Sequence, residues 1–284
     1  MFREIRLPKL FRKMRLLRLL NCFMASFAVI ISVLIVIPIT EIREFWISII
    51  LAFASAFIIT GAGNALNDYT DRNIDKIAHP DRPLPSGIVR PFTALTLASI
   101  LMAASLILTF FINIYCFIIA LFAVLLEIGY ATFIHKWAIG KNMVISGLVA
   151  LLFVFGGAAV NQPWALQLWI LALLAFAINM AREIIKDVED VKADRLADRK
   201  TIPIKSGIKT ANLFTLGFII LGVTLSPLPY YFDVLSKAYL PLVGIADAIF
   251  LYSIFEIPSP TFAKTSIKVG MVIALWAFLV GAFF

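Results

Sequence analysis

The sequence predicts an all-α fold, a polytopic membrane bundle of nine transmembrane helices built as two related four-helix units plus one. Three observations predict it. First, 62% of the 284 residues are hydrophobic and only 15% are charged, with a mean hydropathy of +0.97. A soluble domain is roughly half apolar and about a quarter charged, so this chain needs lipid to cover much of its surface. Second, nine apolar stretches approach the about 20 residues that a spanning helix needs. Third, the basic residues sort to one side of those stretches.

The nine stretches are 19–39, 45–66, 91–112, 114–134, 143–160, 164–183, 210–228, 238–256 and 265–284. Short polar breaks, such as Asn161-Gln162-Pro163, separate them. No polar linker divides the chain, so residues 1–284 are expected to form a single membrane-embedded domain. With the N-terminus in the cytoplasm, the inner segments are 1–18, 67–90, 135–142, 181–209 and 257–268. They hold 23 of the 25 Lys and Arg residues, leaving only Arg43 and Lys237 outside. The positive-inside rule then orients the protein, with its C-terminus on the outer face of the cell membrane. It also accounts for most of the net charge of +8 without a nucleic-acid partner.

Residues 1–18 mix Arg and Lys with Phe, Ile and Leu, as an interfacial segment on anionic lipid does; a plain topology anchor reads the same way. The pattern lacks a cleavable signal. Cys22 and Cys116 lie in apolar stretches without metal-ligand spacing and read as packing residues. Nothing in the sequence calls for an obligate protein partner.

The second stretch runs into Asn64-Ala-Leu-Asn67-Asp68-Tyr-Thr-Asp71-Arg-Asn-Ile-Asp75. The sixth runs into Arg182-Glu-Ile-Ile-Lys186-Asp187-Val-Glu-Asp190-Val-Lys-Ala-Asp194. Both aspartate sets step by three and then four, which keeps each on one face of a helix end. Similar loops follow: Asp81-Arg82-Pro83-Leu84-Pro85-Ser86-Gly87, and Asp198 through Pro203 to Lys205-Ser206-Gly207. The matched positions suggest a duplicated unit. Like charges 4 Å apart repel by about 1 kcal/mol in water and about 4 kcal/mol at an effective dielectric near 20. Mg²⁺ is a hard ion that typically binds one or two carboxylates together with substrate phosphates. Two facing carboxylate walls can therefore grip a diphosphate through metal ions. The expected wall is Asn67, Asp68, Asp71 and Asp75 against Asp187, Asp190 and Asp194, with the six aspartates as metal ligands. The alternative is a pair of solvated helix ends neutralised by Arg72, Lys76, Lys192 and Arg195.

The first cluster resembles the Asn-Asp-x-x-Asp-x-x-x-Asp signature of the UbiA-type intramembrane prenyltransferases. Pro80 to Gly87 resembles their next motif, and Asp187-x-x-Asp190-x-x-x-Asp194 their second aspartate motif. The resemblance covers essentially the whole chain. It implies Mg²⁺-dependent transfer of a prenyl group from an allylic diphosphate. Within the family, the stretch from Arg182 to Ile204 is similar to that of archaeal digeranylgeranylglyceryl phosphate synthases. These join geranylgeranyl diphosphate to geranylgeranylglyceryl phosphate, forming the second ether bond of archaeal membrane lipids. Arg18-Leu-Leu-Asn21-Cys22 resembles their entry into the first helix, with Leu where Pro is expected. Tyr130, Lys136 and Gly140-Lys141-Asn142 stand where the family has a Tyr, a Lys and Gly-Asn.

The resemblance implies substrate contacts. Arg182, Lys186, Lys200 and Lys205, with Arg18, are expected at the acceptor phosphate, or else serve as topology charges. Asn64 is either a pocket amide or a helix-packing amide, and Lys136 either a phosphate ligand or a topology charge. Asn21 and Tyr130 join the substrate-binding set. Glu127, an acid inside the fourth helix, is either a base for the acceptor hydroxyl or a protonated structural acid. Asp247 reads as a structural polar contact. His79 and His135 sit beside helix ends with no evident pairing. The rival readings are prenylation of an aromatic quinone precursor and, more distantly, a transporter. The basic second loop opposes the first rival. Two clusters at one membrane face, with no broken helix pair at the midplane, oppose the second.

Overall fold

The structure, a computed structural model, describes residues 14–132 and 138–283. Lys136, His135 and most of the basic N-terminal segment lie outside the described residues. The long helices are α1 (Leu19–Val36), α2 (Ile42–Ala78), α3 (Pro91–Phe110), α4 (Ile114–Thr132), α5 (Gly140–Ala158), α6 (Leu166–Glu189), α7 (Ile208–Leu225), α8 (Tyr239–Phe255) and α9 (Pro260–Phe283). Among the described residues eight segments are long and apolar enough to cross a membrane; α8, also apolar, is shorter. The chain is an all-helical multi-pass membrane bundle.

Neighbours in sequence pack side by side around a ring: α2 against α1 and α3, α6 against α5 and α7, and α8 against α9. The ring closes where α9 returns to α1 and α6. α6 is the central helix, with 67% of its apolar window buried against 22% for α4. α4 and α3 instead turn Phe122, Leu125, Ile107 and Phe110 outward, which suits a lipid-facing surface. On α2 the buried positions are small: Ala52, Ser55, Ala56, Gly61, Ala62 and Ala65. Small residues let membrane helices approach closely, and the Ser55 and Ser105 hydroxyls meet at 2.8 Å between α2 and α3.

Two boundaries differ from the sequence expectation in ways that shape the site. α2 does not stop near residue 66 but runs 37 residues to Ala78, about 55 Å at 1.5 Å per residue. That exceeds the roughly 30 Å hydrocarbon core, so the first aspartate cluster rides on a continuous helical rod. The second cluster does not share one uninterrupted helix face. α6 ends at Glu189, Asp190 leaves helical geometry (φ −86, ψ 3), and Asp194 lies in a separate short helix, Val191–Leu196.

Candidate active site

The ring encloses a cavity of about 860 Å³, lined by residues of α1, α2 and α4 through α9. Its walls are apolar over most of the depth, with Ala28, Leu148, Leu152, Val243 and Phe278 among them. Polar side chains gather at one end: Arg18, Asn67, Asp68, Arg182, Glu183 and Lys186. An amphipathic ligand with an anionic head and an apolar tail matches this division.

The two aspartate clusters meet at that end. His79, one residue past α2, places Nε2 3.2 Å from Asp190 Oδ1. Arg199 spans the gap, its Nη2 bonded to Asp71 and its Nη1 3.9 Å from Asp194. The surroundings are nearly dry, with Asp68, Asp75, Asp187 and Asp194 each 3% exposed or less. Buried charges persist only when paired, and most of these are. Arg18 Nη2 donates to Asp68 Oδ1 at 2.5 Å. Arg82 Nη1 donates to both oxygens of Asp75, at 2.7 and 2.8 Å. Lys141 Nζ donates to Asp187 Oδ1 at 2.6 Å, and Asn142 Nδ2 to Oδ2 at 3.0 Å.

The neutralising partners are therefore not Arg72, Lys76, Lys192 and Arg195. Arg72 instead donates to the Tyr69 carbonyl at 2.8 Å and lies over the Tyr69 ring. Lys141 and Asn142 read as loop residues in the sequence, but α5 begins at Gly140 and buries both in its first turn. Burial pushes the Asp194 carboxyl up to about 6. At Asp190 burial also acts upward, but the His79 hydrogen bond and the Lys186 charge outweigh it and hold the group below the usual carboxylate range.

The remaining expected residues divide. Tyr130 reaches the site, its hydroxyl donating to Asn67 Oδ1 at 3.1 Å. Asn64 lines the cavity and donates to the Leu17 carbonyl at 2.8 Å, anchoring the turn that carries Arg18. Arg18 itself stands in the left-handed region (φ 52), between the turn Arg15–Leu17 and α1, a conformation uncommon outside glycine. Arg182 and Lys186 line the cavity and flank Glu183, at 2.6 and 3.7 Å. Asn21 accepts from Lys268 Nζ at 2.9 Å. Lys200 and Lys205 are exposed and do not line the cavity.

Glu127 lines the cavity, and its buried Oε2 has no hydrogen-bond partner among the described residues. It presses against Gly63 on α2, where an added Cβ would lie 2.4 Å from Oε1. Gly63→Ala is therefore expected to force the acid from its position. An initial-rate assay should show reduced turnover if that position matters, and unchanged rates would mark Glu127 as a packing group. Asp247 accepts from Ser226 Oγ at 2.6 Å, as a structural contact does, and also borders the cavity.

The aspartate walls fit a hard divalent cation in donor chemistry. All the candidate ligand atoms are carboxylate or amide oxygens, and the buried Asp194 Oδ2 has no hydrogen-bond partner among the described residues. Among the described residues no three acidic, His or Cys groups converge on one point. Asp68, Asp71, Asp75 and Asp187 are each engaged by a cationic side chain, with which a bound metal would compete.

The profile of the UbiA prenyltransferase family matches residues 22–282. The chain belongs to the UbiA prenyltransferase family. Within it, the chain is 38% identical over 277 residues to a digeranylgeranylglyceryl phosphate synthase of Methanococcoides burtonii, covering 95% of this chain and 99% of the relative. A solved digeranylgeranylglyceryl phosphate synthase structure superposes with a TM-score of 0.72 at 34% identity, covering 96% of this chain and 98% of the other. A UbiA homologue from Archaeoglobus fulgidus bound to GPP and Mg²⁺ shares the fold, with a TM-score of 0.70 at 19% identity, covering 94% of this chain and 98% of the other. In this UbiA-family chain the two aspartate clusters are joined through His79–Asp190 and Arg199–Asp71, with Asp68 and His79 at the polar end of the cavity.

Proposed function

We propose that this chain transfers a geranylgeranyl group from geranylgeranyl diphosphate to geranylgeranylglyceryl phosphate, forming the second ether bond of archaeal membrane lipids. The observation that carries the reading is the joining of the two aspartate clusters, through His79–Asp190 and Arg199–Asp71, above an apolar cavity. The full-length similarity to digeranylgeranylglyceryl phosphate synthases supports the acceptor.

The donor diphosphate would sit between the walls, where Asp68, Asp71, Asp75, Asp187, Asp190 and Asp194, with Asn67, would hold Mg²⁺. Bound there, the metal supplies Lewis-acid stabilisation of the departing diphosphate. The chain's own groups do the rest. Arg18, Arg82, Arg199 and Lys141 stand beside the carboxylates and would supply charge for phosphate oxygens. Tyr130 fixes the Asn67 amide. The apolar walls below keep water from the allylic carbon, where hydrolysis would compete with ether formation.

Nine spans are proposed, with α8 crossing despite its 17 residues. The positive-inside distribution supports a cytoplasmic active site and an outward C-terminus. Duplication of a four-helix unit is supported by Gly87 (φ 73) and Gly207 (φ 88), which both take positive φ at matched points of the two loops.

The test is incubation of the purified protein with geranylgeranyl diphosphate, Mg²⁺ and either the phosphorylated glycerol ether or an aromatic quinone precursor. Ether product is expected with the first acceptor only, and its loss in EDTA with recovery on added Mg²⁺. Turnover of only the aromatic acceptor would defeat the proposal.

A further inference from the structure

Besides the aspartate walls, the head of the cavity holds a second charged group of opposite sign. Arg18 precedes α1, Arg182 lies on α6, and Lys264 and Lys268 lie on α9; all four line the cavity where these helices meet. Lys268 is within electrostatic reach of the other three cations. The anions nearby are already engaged. Asp68 is taken by Arg18, Glu183 by Arg182 and Lys186, and Glu189 by Lys264. Lys268 differs from these cations: its hydrogen bond goes to a neutral oxygen, Asn21 Oδ1, and no carboxylate pairs with it among the described residues. Arg182 Nε is also buried without an acceptor among the described residues. Among the described residues, an ammonium without a carboxylate and a guanidinium Nε–H without an acceptor thus border the same cavity, beside two further positive charges, Arg18 and Lys264.

We infer that Lys268 and Arg182, supported by Asn21 and Lys264, form the binding site for the phosphomonoester head of the acceptor lipid, separate from the metal-dependent diphosphate site. A phosphomonoester is nearly a dianion at neutral pH and presents several strong acceptor oxygens, which matches a lysine and an arginine without needing a metal. The wall below this point, with Met24 and Ala28 of α1 and Met271, Leu275 and Phe278 of α9, is apolar and suits the lipid's hydrocarbon chain. The division of labour follows from charge: the aspartate walls need metal to hold an anion, whereas the α1–α6–α9 corner does not. The inference rests on the proposed acceptor and adds the residues that select it.

The experiment measures binding to detergent-purified full-length protein in EDTA, with geranylgeranylglyceryl phosphate and unphosphorylated geranylgeranylglycerol as the two ligands. The wild type is expected to prefer the phosphorylated lipid by about ten- to a hundredfold, the worth of a hydrogen bond to a charged group. Lys268→Met should remove that preference and Lys268→Arg should restore much of it, which a misfolded variant would not do. In turnover assays Lys268→Met should raise KM for the acceptor and not for the donor. Equal binding of the two lipids by the wild type, a retained preference in Lys268→Met, or displacement by inorganic phosphate as effective as by the lipid would each overturn the assignment. If the wild type shows the preference yet forms no ether from geranylgeranyl diphosphate, the proposed reaction fails and this site stands.

Discussion

Asp71→Asn is expected to lower turnover by about a thousandfold or more while the protein remains folded. Metal coordination at a leaving group contributes several kcal/mol of transition-state stabilisation, and each 1.36 kcal/mol is tenfold in rate. Asparagine keeps the shape of the side chain but loses the charge that draws metal to the first wall. The fold should survive because Arg199, which Asp71 now holds, also has Asp194 at 3.9 Å. Asp190→Ala tests the opposite wall and should have a comparable effect on rate. Ether formation measured beside thermal unfolding in detergent separates loss of chemistry from loss of structure. Near-normal turnover in both variants would remove the metal wall.

The second large effect is expected at Lys141. Its Nζ lies 2.6 Å from Asp187 Oδ1, and the two side chains are 7% and 1% exposed. Removing one partner of a buried pair leaves an uncompensated charge and typically costs about 3–5 kcal/mol, whereas replacing both partners is often nearly neutral. Lys141→Met should therefore lower the unfolding temperature markedly, with Asn142 as the remaining donor to Asp187. The double variant Lys141→Met/Asp187→Asn should recover most of that stability yet stay inactive. A double variant that regains activity would show that Asp187 is a structural partner of Lys141 and not a metal ligand.

The membrane fold was legible because hydropathy and charge sorting are local signals that lipid enforces on every span. The first aspartate cluster was legible because a helix converts steps of three and four into a shared face, whereas the break at Asp190 in the second was not. What the sequence did not show is which cation meets which carboxylate. Lys141 and Lys136 look alike as basic residues near a helix start, and only the helix boundary at Gly140 shows that Lys141 turns inward. Arg199 and Lys200 are adjacent, yet Arg199 bridges the two clusters while Lys200 faces solvent. Lys268 looked like a topology charge because its partner, Asn21, is 247 residues away in the chain. The single signal within reach was the Gly140-Lys-Asn142 triplet, whose second and third residues both meet Asp187.

The internal ion pairs have a consequence for the reaction cycle. A bare cage of six carboxylates would seize divalent metal strongly and surrender it slowly. Here Arg18, Arg82, Arg199 and Lys141 serve as resident counter-ions to Asp68, Asp75, Asp71 and Asp187. A cation arriving at these carboxylates would compete with partners already in place, so its net gain would be the difference between two sets of ionic contacts. A site that neutralises itself in this way spares the bundle the cost of unpaired buried carboxylates.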